Sequence, residues 1–269
     1  MMAALQWSVF GSHAAMRVSR KAGEWSALIE EIRLSGPHPD KASCPWVKMA
    51  VFGDNRAPSG SLRNNANVQF VYGVEGDYDG ERITLEDALS RLESHGIRAA
   101  IYTSPSHTPE RPRWRVLAPL ATPALPEQRE GLLARINGAL GGILAPESFT
   151  LSQSYYYGQV KGAPDYKVLA TFNDPEDGHC VDELHELDVI AVGRAAGRHT
   201  DDAQQVISPA DPAEGFAQRV QQLGRKLKTG DGRRELAEAV TGPSCTDTVA
   251  VGVELANASM VPSEVGVRV

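Results

Sequence analysis

The alternation of apolar and polar positions is sharpest in the middle of the chain. Val68 to Val74 (VQFVYGV) is dense in β-branched and aromatic residues and predicts a strand. Thr84 then opens a helix that runs to His95, with Asp87 in the capping-box position and Gly96 as its stop. Ile97 to Thr103 reads as the next strand, Ser104 to Pro112 as a turn, and Trp114 to Leu120 as a returning strand. Pro126 starts a second helix to Leu140, ended by Gly141 and Gly142, and Tyr166 to Phe172 forms a last strand. In order, these elements spell β-α-β-β-α-β. The expected fold is therefore α+β, an RRM-like or ferredoxin-like split-βαβ palm with an antiparallel sheet, both helices on one face and the other face open to a ligand.

The flanks are less regular. Gln6 to Phe10 reads as a first strand, Ala22 to Leu34 as a helix with Trp25, Leu28, Ile29 and Ile32 on one face, and Trp46 to Phe52 as a further apolar stretch. This gives the palm an N-terminal β-α extension and a primary domain over residues 1–190. Past Asp174 the chain turns acidic, then becomes a Gly-, Ala- and Asp-rich linker at 191–212. A small helical segment is expected at 213–240, with Phe216, Val220 and Leu223 on one side. From 241 to 269 no period survives, and that stretch reads as a disordered tail.

Composition adds bounds rather than a function. The 269 residues are 42% apolar and 23% charged, ordinary globular usage with room for one sizeable core. Net charge is −7, which argues against general binding to phosphate backbones. The charge is uneven, however: residues 1–170 hold 18 Lys and Arg against 17 Asp and Glu, whereas residues 171–269 hold 9 against 17. The acidity belongs to the last third. Cys44, Cys180 and Cys245 form no CxxC pair, so a disulfide framework and a four-cysteine zinc site are not expected, and a reducing, cytoplasmic setting is. No apolar run approaches the roughly 20 residues of a membrane span. Residues 1–23 lack acids and carry Arg17, Arg20 and Lys21, as an organelle-targeting segment would, but QWSVF within them is equally a strand.

The strongest chemical feature is VEGDYDG, at the end of the clearest strand. Side chains repeat with period two on extended chain, so Asp77 and Asp79 project to one side, as a pair of divalent-metal ligands would. The same residues approach the calcium-loop spacing, with Glu75 first, Gly80 sixth and Glu86 twelfth, but a strand stands where the entering helix should be. The turn YTSPSHT brings Ser104, Ser106 and His107 after the second strand, able to donate hydrogen bonds to phosphate oxygens. Arg113 and Arg115 then share a face of the next strand, separated by Trp114, with guanidiniums suited to phosphates or a template strand. Lys48 and Arg63 precede the palm and add candidate phosphate contacts. Tyr155, Tyr156 and Tyr157 read better as a half-buried strand than as a base-stacking platform.

Together, the strand ending in DxD, the Ser/His turn and the basic strand PRWRVLAPL resemble the archaeo-eukaryotic primase superfamily, in particular the primase domains of phage and plasmid replication proteins, over roughly Trp7 to Asp177. The resemblance implies a DNA primase or primase-polymerase that starts or extends a primer on single-stranded DNA. In it Asp77 and Asp79 bind Mg²⁺ or Mn²⁺, and Ser106 and His107 contact the nucleotide triphosphate along with Arg113 and Arg115. A third acid completes the metal site: Glu147, with Asp165 and Asp174 as alternatives. The implied partners are a single-stranded DNA template, nucleoside triphosphates and a separate replicative helicase, since no GxxxxGK[ST] motif occurs in the chain. Two other readings use the same residues: a degenerate replication-initiation or single-strand-binding module without turnover, and a metal-dependent nuclease.

Overall fold

The computed structural model describes residues 4–163 and 166–194. Two antiparallel sheets organise them. The smaller contains β1 (Leu5–Phe10), β2 (Ser19–Gly23), β3 (Trp46–Lys48) and β8 (Tyr155–Tyr156), in the order β2-β1-β3-β8. The larger contains β4 (Ala50–Phe52), β5 (Val68–Tyr78), β6 (Ala100–Thr103), β7 (Trp114–Ala124) and β9 (Val168–Ala170), in the order β4-β5-β7-β6-β9. Three helices complete the fold: α1 (Trp25–Leu34), α2 (Leu85–Ser94) and α3 (Arg129–Ala139).

The α+β class is the one the periodicity implies. Thr84 caps α2 by accepting from the Asp87 N–H, and Gly96 ends the turn after it with a φ of +68°. α2 and α3 bury Leu85, Ala88, Leu92, Leu133 and Ile136 against Val74, Tyr78, Val116 and Ala118 of the sheet. On the opposite face Ala100, Tyr102 and Leu117 pack with Leu28, Ile29 and Ile32 of α1 and with Val47 and Met49. Each such aliphatic side chain contributes about 1.5–3 kcal/mol when fully buried. The face expected to lie open is thus largely covered by α1 and the smaller sheet. It stays accessible only toward the C-terminal ends of β5 and β6.

The strand order departs from a split βαβ at its ends. β5-β7-β6 is the expected core, but β9 pairs with β6, and the place beside β5 is taken by the N-terminal β4. One consequence concerns the Ser/His turn. β6 does not lie beside the strand of Asp77; β7 separates the two and runs antiparallel to both, so β5 and β6 are parallel and end together. Asp77 and Tyr102 face the same residue, Arg115. The turn after β6 therefore lies at the acidic end of the sheet.

A single residue, Met49, separates β3 from β4 and carries the chain from one sheet to the other. Gly73 makes room for it, because a Cβ there would sit 2.1 Å from the Met49 Cε. The calcium-loop spacing is overturned by the same strand: Val68–Tyr78 is continuous β structure, and Glu75 is fully buried within it. Residues 191–194 are held to the domain, Val192 N–H donating to the Ala134 carbonyl and Arg194 to the Pro146 carbonyl. The expected linker beyond them, the helical segment at 213–240 and the tail lie outside the described residues. No helix among the described residues is long and apolar enough to cross a membrane.

Candidate active site

Asp77 stands near the end of β5, where the strand's outer edge has no strand beside it. That edge is sealed instead by the segment leading into a short 3-10 turn, Pro146–Phe149. Ala145 N–H donates to the Asp77 carbonyl at 2.9 Å, and the Asp77 N–H donates to Ser148 Oγ at 3.0 Å. Both backbone groups of Asp77 are thereby satisfied by the segment that carries Glu147. Tyr155 on β8 donates to the same Ser148 Oγ at 3.1 Å.

Beneath this lies a buried ionic cluster. Glu75 accepts from Lys48 Nζ at 2.5 Å, from the Met49 N–H at 2.5 Å and from Arg129 of α3 at 3.0 Å. Arg129 also donates to the carbonyls of Glu75 and Ser148. Burial opposes ionisation of Glu75, but the two cations outweigh it and hold its carboxyl below the ordinary range. Burial and the neighbouring Arg129 pull Lys48 down to about 7, against the attraction of Glu75. Lys48 is wholly inaccessible, so its expected role as a phosphate contact is withdrawn: its ammonium is committed to an internal carboxylate.

Above the cluster opens a pocket of about 250 Å³, lined by Asp77, Asp79 and Glu147 on the acidic side and by Lys41, Arg113 and Arg115 among its cations. Ser104 and Ser106 also face it, as do Trp46, Gln153, Tyr155 and Tyr156. Most residues singled out in the sequence thus meet in one place, although they come from four separate segments. Arg115 Nε donates to Asp77 Oδ1 at 2.9 Å and Nη1 to the Tyr156 carbonyl at 2.8 Å, while its guanidinium lies 3.9 Å from the centre of the Tyr156 ring. Burial raises the Asp77 pKa; Arg115 works against this, and the nearby carboxylates of Asp79 and Glu147 add to it.

Several expected residues are placed differently. His107 is buried, and its Nδ1 accepts from the Arg113 N–H at 3.1 Å, an imidazole that closes the turn rather than one that lines the pocket. Arg113 faces the pocket but pairs with Glu81, which also takes Arg111 through contacts of 2.7 and 2.8 Å. Arg63 does not line the pocket and lies over the Trp46 ring, 4.7 Å from its centre. Asp174 follows β9, which runs from the Tyr102 side toward the Ala100 side of β6, so it lies at the far end of the sheet. Asp165 is outside the described residues. All three tyrosines are buried rather than half-buried; Tyr155 and Tyr156 form β8 and also line the pocket, and Tyr157 lies just past the strand. Ser148, Arg129, Glu81 and Lys41 were not anticipated; only Ser148, adjacent to Glu147, stood where a local pattern pointed.

The acids suit a hard divalent cation by donor type. Mg²⁺ characteristically uses one or two carboxylates, with waters and substrate phosphates completing its shell. Oδ2 of Asp77 has no partner among the described residues, and the mutual repulsion that helps raise its pKa is what a dication would relieve. Among the described residues no group of three His, Cys, Asp or Glu side chains is gathered tightly enough to enclose an ion. The residues therefore fit a partial, substrate-completed site rather than a closed cage.

No family model and no curated protein sequence matches the chain. Two solved structures are similar in fold. The archaeo-eukaryotic primase domain of the cyanophage S-2L primase-polymerase covers 69% of this chain and 89% of its own, with a TM-score of 0.39 and 8% identity. The primase RepB′ covers 89% of this chain and 70% of its own, with a TM-score of 0.37 and 13% identity. At those scores the likenesses decide nothing about the chemistry of the pocket.

Proposed function

We propose that the chain is a metal-dependent nucleotidyltransferase of the primase-polymerase kind, adding nucleotides to a primer on single-stranded DNA in phage or plasmid replication. The observation that carries this reading is the meeting of Asp77, Asp79 and Glu147 with Arg113, Arg115, Ser104 and Ser106 around one pocket, from four segments of the chain. Asp77, Asp79 and Glu147 would hold Mg²⁺ or Mn²⁺. Such an ion, when bound, supplies the positive charge that activates a primer hydroxyl for in-line attack on an α-phosphate and steadies the departing pyrophosphate. Arg113 and Arg115 would neutralise the phosphates, and the Ser104 and Ser106 hydroxyls would donate to phosphate oxygens. Burial of Asp77 leaves its charge poorly solvated, which strengthens its pull on any cation that enters.

The test is incorporation of labelled nucleotide on a single-stranded template with Mn²⁺. Growth of product is expected with the parent and none with Asp77→Ala/Asp79→Ala; equal incorporation by both would refute the assignment. One observation favours a second reading, a single-strand-binding module without turnover: Asp77 is already bound to Arg115, and its carboxylate is not grouped with two others as a cage. That reading expects salt-sensitive binding of single strands and no metal-dependent synthesis at all.

A further inference from the structure

We propose that the paired strands β3 and β8, with Trp46 as the stacking surface and Lys41 and Arg63 as phosphate contacts, form the track on which single-stranded DNA enters the acidic pocket. The inference rests on the reading above and assigns its template to a surface that the sequence motifs do not mark. Trp46 and Tyr156 are register partners across β3 and β8, and their rings meet edge-to-face with centres 5.5 Å apart. Both rings face the pocket that holds Asp77 and Asp79, so a strand lying over them would lead straight to those acids.

The cations around these rings fall into two groups. Arg113 and Arg115 are paired with Glu81 and Asp77. Lys41 and Arg63 have no carboxylate partner among the described residues: Lys41 Nζ lies 4.6 Å from the Tyr156 ring centre, and Arg63 lies 4.7 Å from that of Trp46 while its Nη2 donates to the His13 carbonyl at 3.1 Å. A cation over an aromatic face at a solvent-accessible site is held weakly, whereas a nucleobase stacked on the same face gains more. A base taking the Trp46 face would turn Arg63 from that ring, and from the neutral His13 carbonyl, to the charged backbone phosphate of that nucleotide. Tyr156 already carries both Lys41 and Arg115, which leaves Trp46 as the ring that takes the base. Arrangements of this type, cations that follow the backbone beside rings that accept any base, suit single strands and not duplexes.

The tryptophans provide a direct readout. Trp7, Trp25 and Trp114 are buried at 3%, 3% and 0% exposure, while Trp46 is only partly buried. Titration of an oligo-dT strand into the full chain, without metal or nucleotide, should quench intrinsic fluorescence saturably. Trp46→Phe should remove that quench while fluorescence anisotropy of a labelled strand still reports binding. Lys41→Glu and Arg63→Glu, both near the surface, should each weaken binding about tenfold and lower the salt slope by about one. The proposal is overturned if the quench persists in Trp46→Phe, if the charge reversals bind as the parent does, or if a duplex of equal length quenches as strongly. Because the assay needs no synthesis, a quench without nucleotide incorporation would sink only the polymerase reading, and incorporation with unaltered Lys41→Glu and Arg63→Glu binding would sink only this one.

Discussion

Asp77 and Arg115 are register partners across β5 and β7, and their side chains meet at 2.9 Å on the pocket floor. Arg115 does three things from this position: it holds one Asp77 oxygen, caps the Tyr156 carbonyl and stacks on the Tyr156 ring. A lysine keeps the charge but has neither the planar face nor the fork. Arg115→Lys is accordingly expected to lower incorporation about 10- to 100-fold with little change in template binding. Steady-state kinetics alongside strand-binding anisotropy would check this; a normal rate would show that charge alone suffices.

Asp77 also makes a stability prediction. Its folded pKa is raised, chiefly by burial, so its anion opposes folding at neutral pH and the cost fades as pH falls toward the range of an ordinary aspartate. Asp77→Asn should be at least as stable as the parent at pH 7, with the difference shrinking in acid. Urea midpoints measured across pH would reveal it, and an Asn variant less stable at pH 7 would contradict it.

Glu81 occupies two arginines that a triphosphate would also want. It does so from a backbone φ of +58°, unusual for a residue with a side chain. Glu81→Gln should therefore free Arg113 and tighten nucleotide binding about two- to fivefold, the scale of an exposed ion pair. Nucleotide affinity measured by competition would decide; weaker binding would mean that Glu81 instead holds Arg113 in its working position.

The buried trio predicts an asymmetry. Among the described residues Glu75 is the one carboxylate paired with Lys48 and Arg129, so Glu75→Gln leaves their buried positive charge unpaired and should cost about 3–5 kcal/mol. Lys48→Met leaves the Glu75–Arg129 pair intact and should cost less than about 2 kcal/mol. Denaturant unfolding of both variants is the test, and equal losses would show that Lys48 is as essential as Glu75.

What was legible in the sequence follows from range. The helices and long strands repeat apolar residues locally, and Asp77 with Asp79 is a local, two-residue relationship on a strand. β2 carries no such signal, because four of its five residues are exposed and leave no apolar face to read, whereas the tyrosine run marks β8 although only two of its residues pair. The position of β9 beside β6 depends on pairing between distant segments, which no local period encodes. Lys48 was misjudged for a similar reason. Its burial is decided by Glu75, 27 residues away, which in turn answers to Arg129, a further 54 along. His107 looked catalytic by type, but the backbone of its own turn claims its Nδ1.

The lone methionine between β3 and β4 fixes a length. On its near side Lys48 must reach Glu75, and on its far side Ala50 must meet Val71 in register. One residue inserted there would break one of these two meetings, because each successive position on extended chain faces the other way. Loops elsewhere around the acids can grow or shrink, but kin of this chain that keep the acids working should carry that joint at its present count.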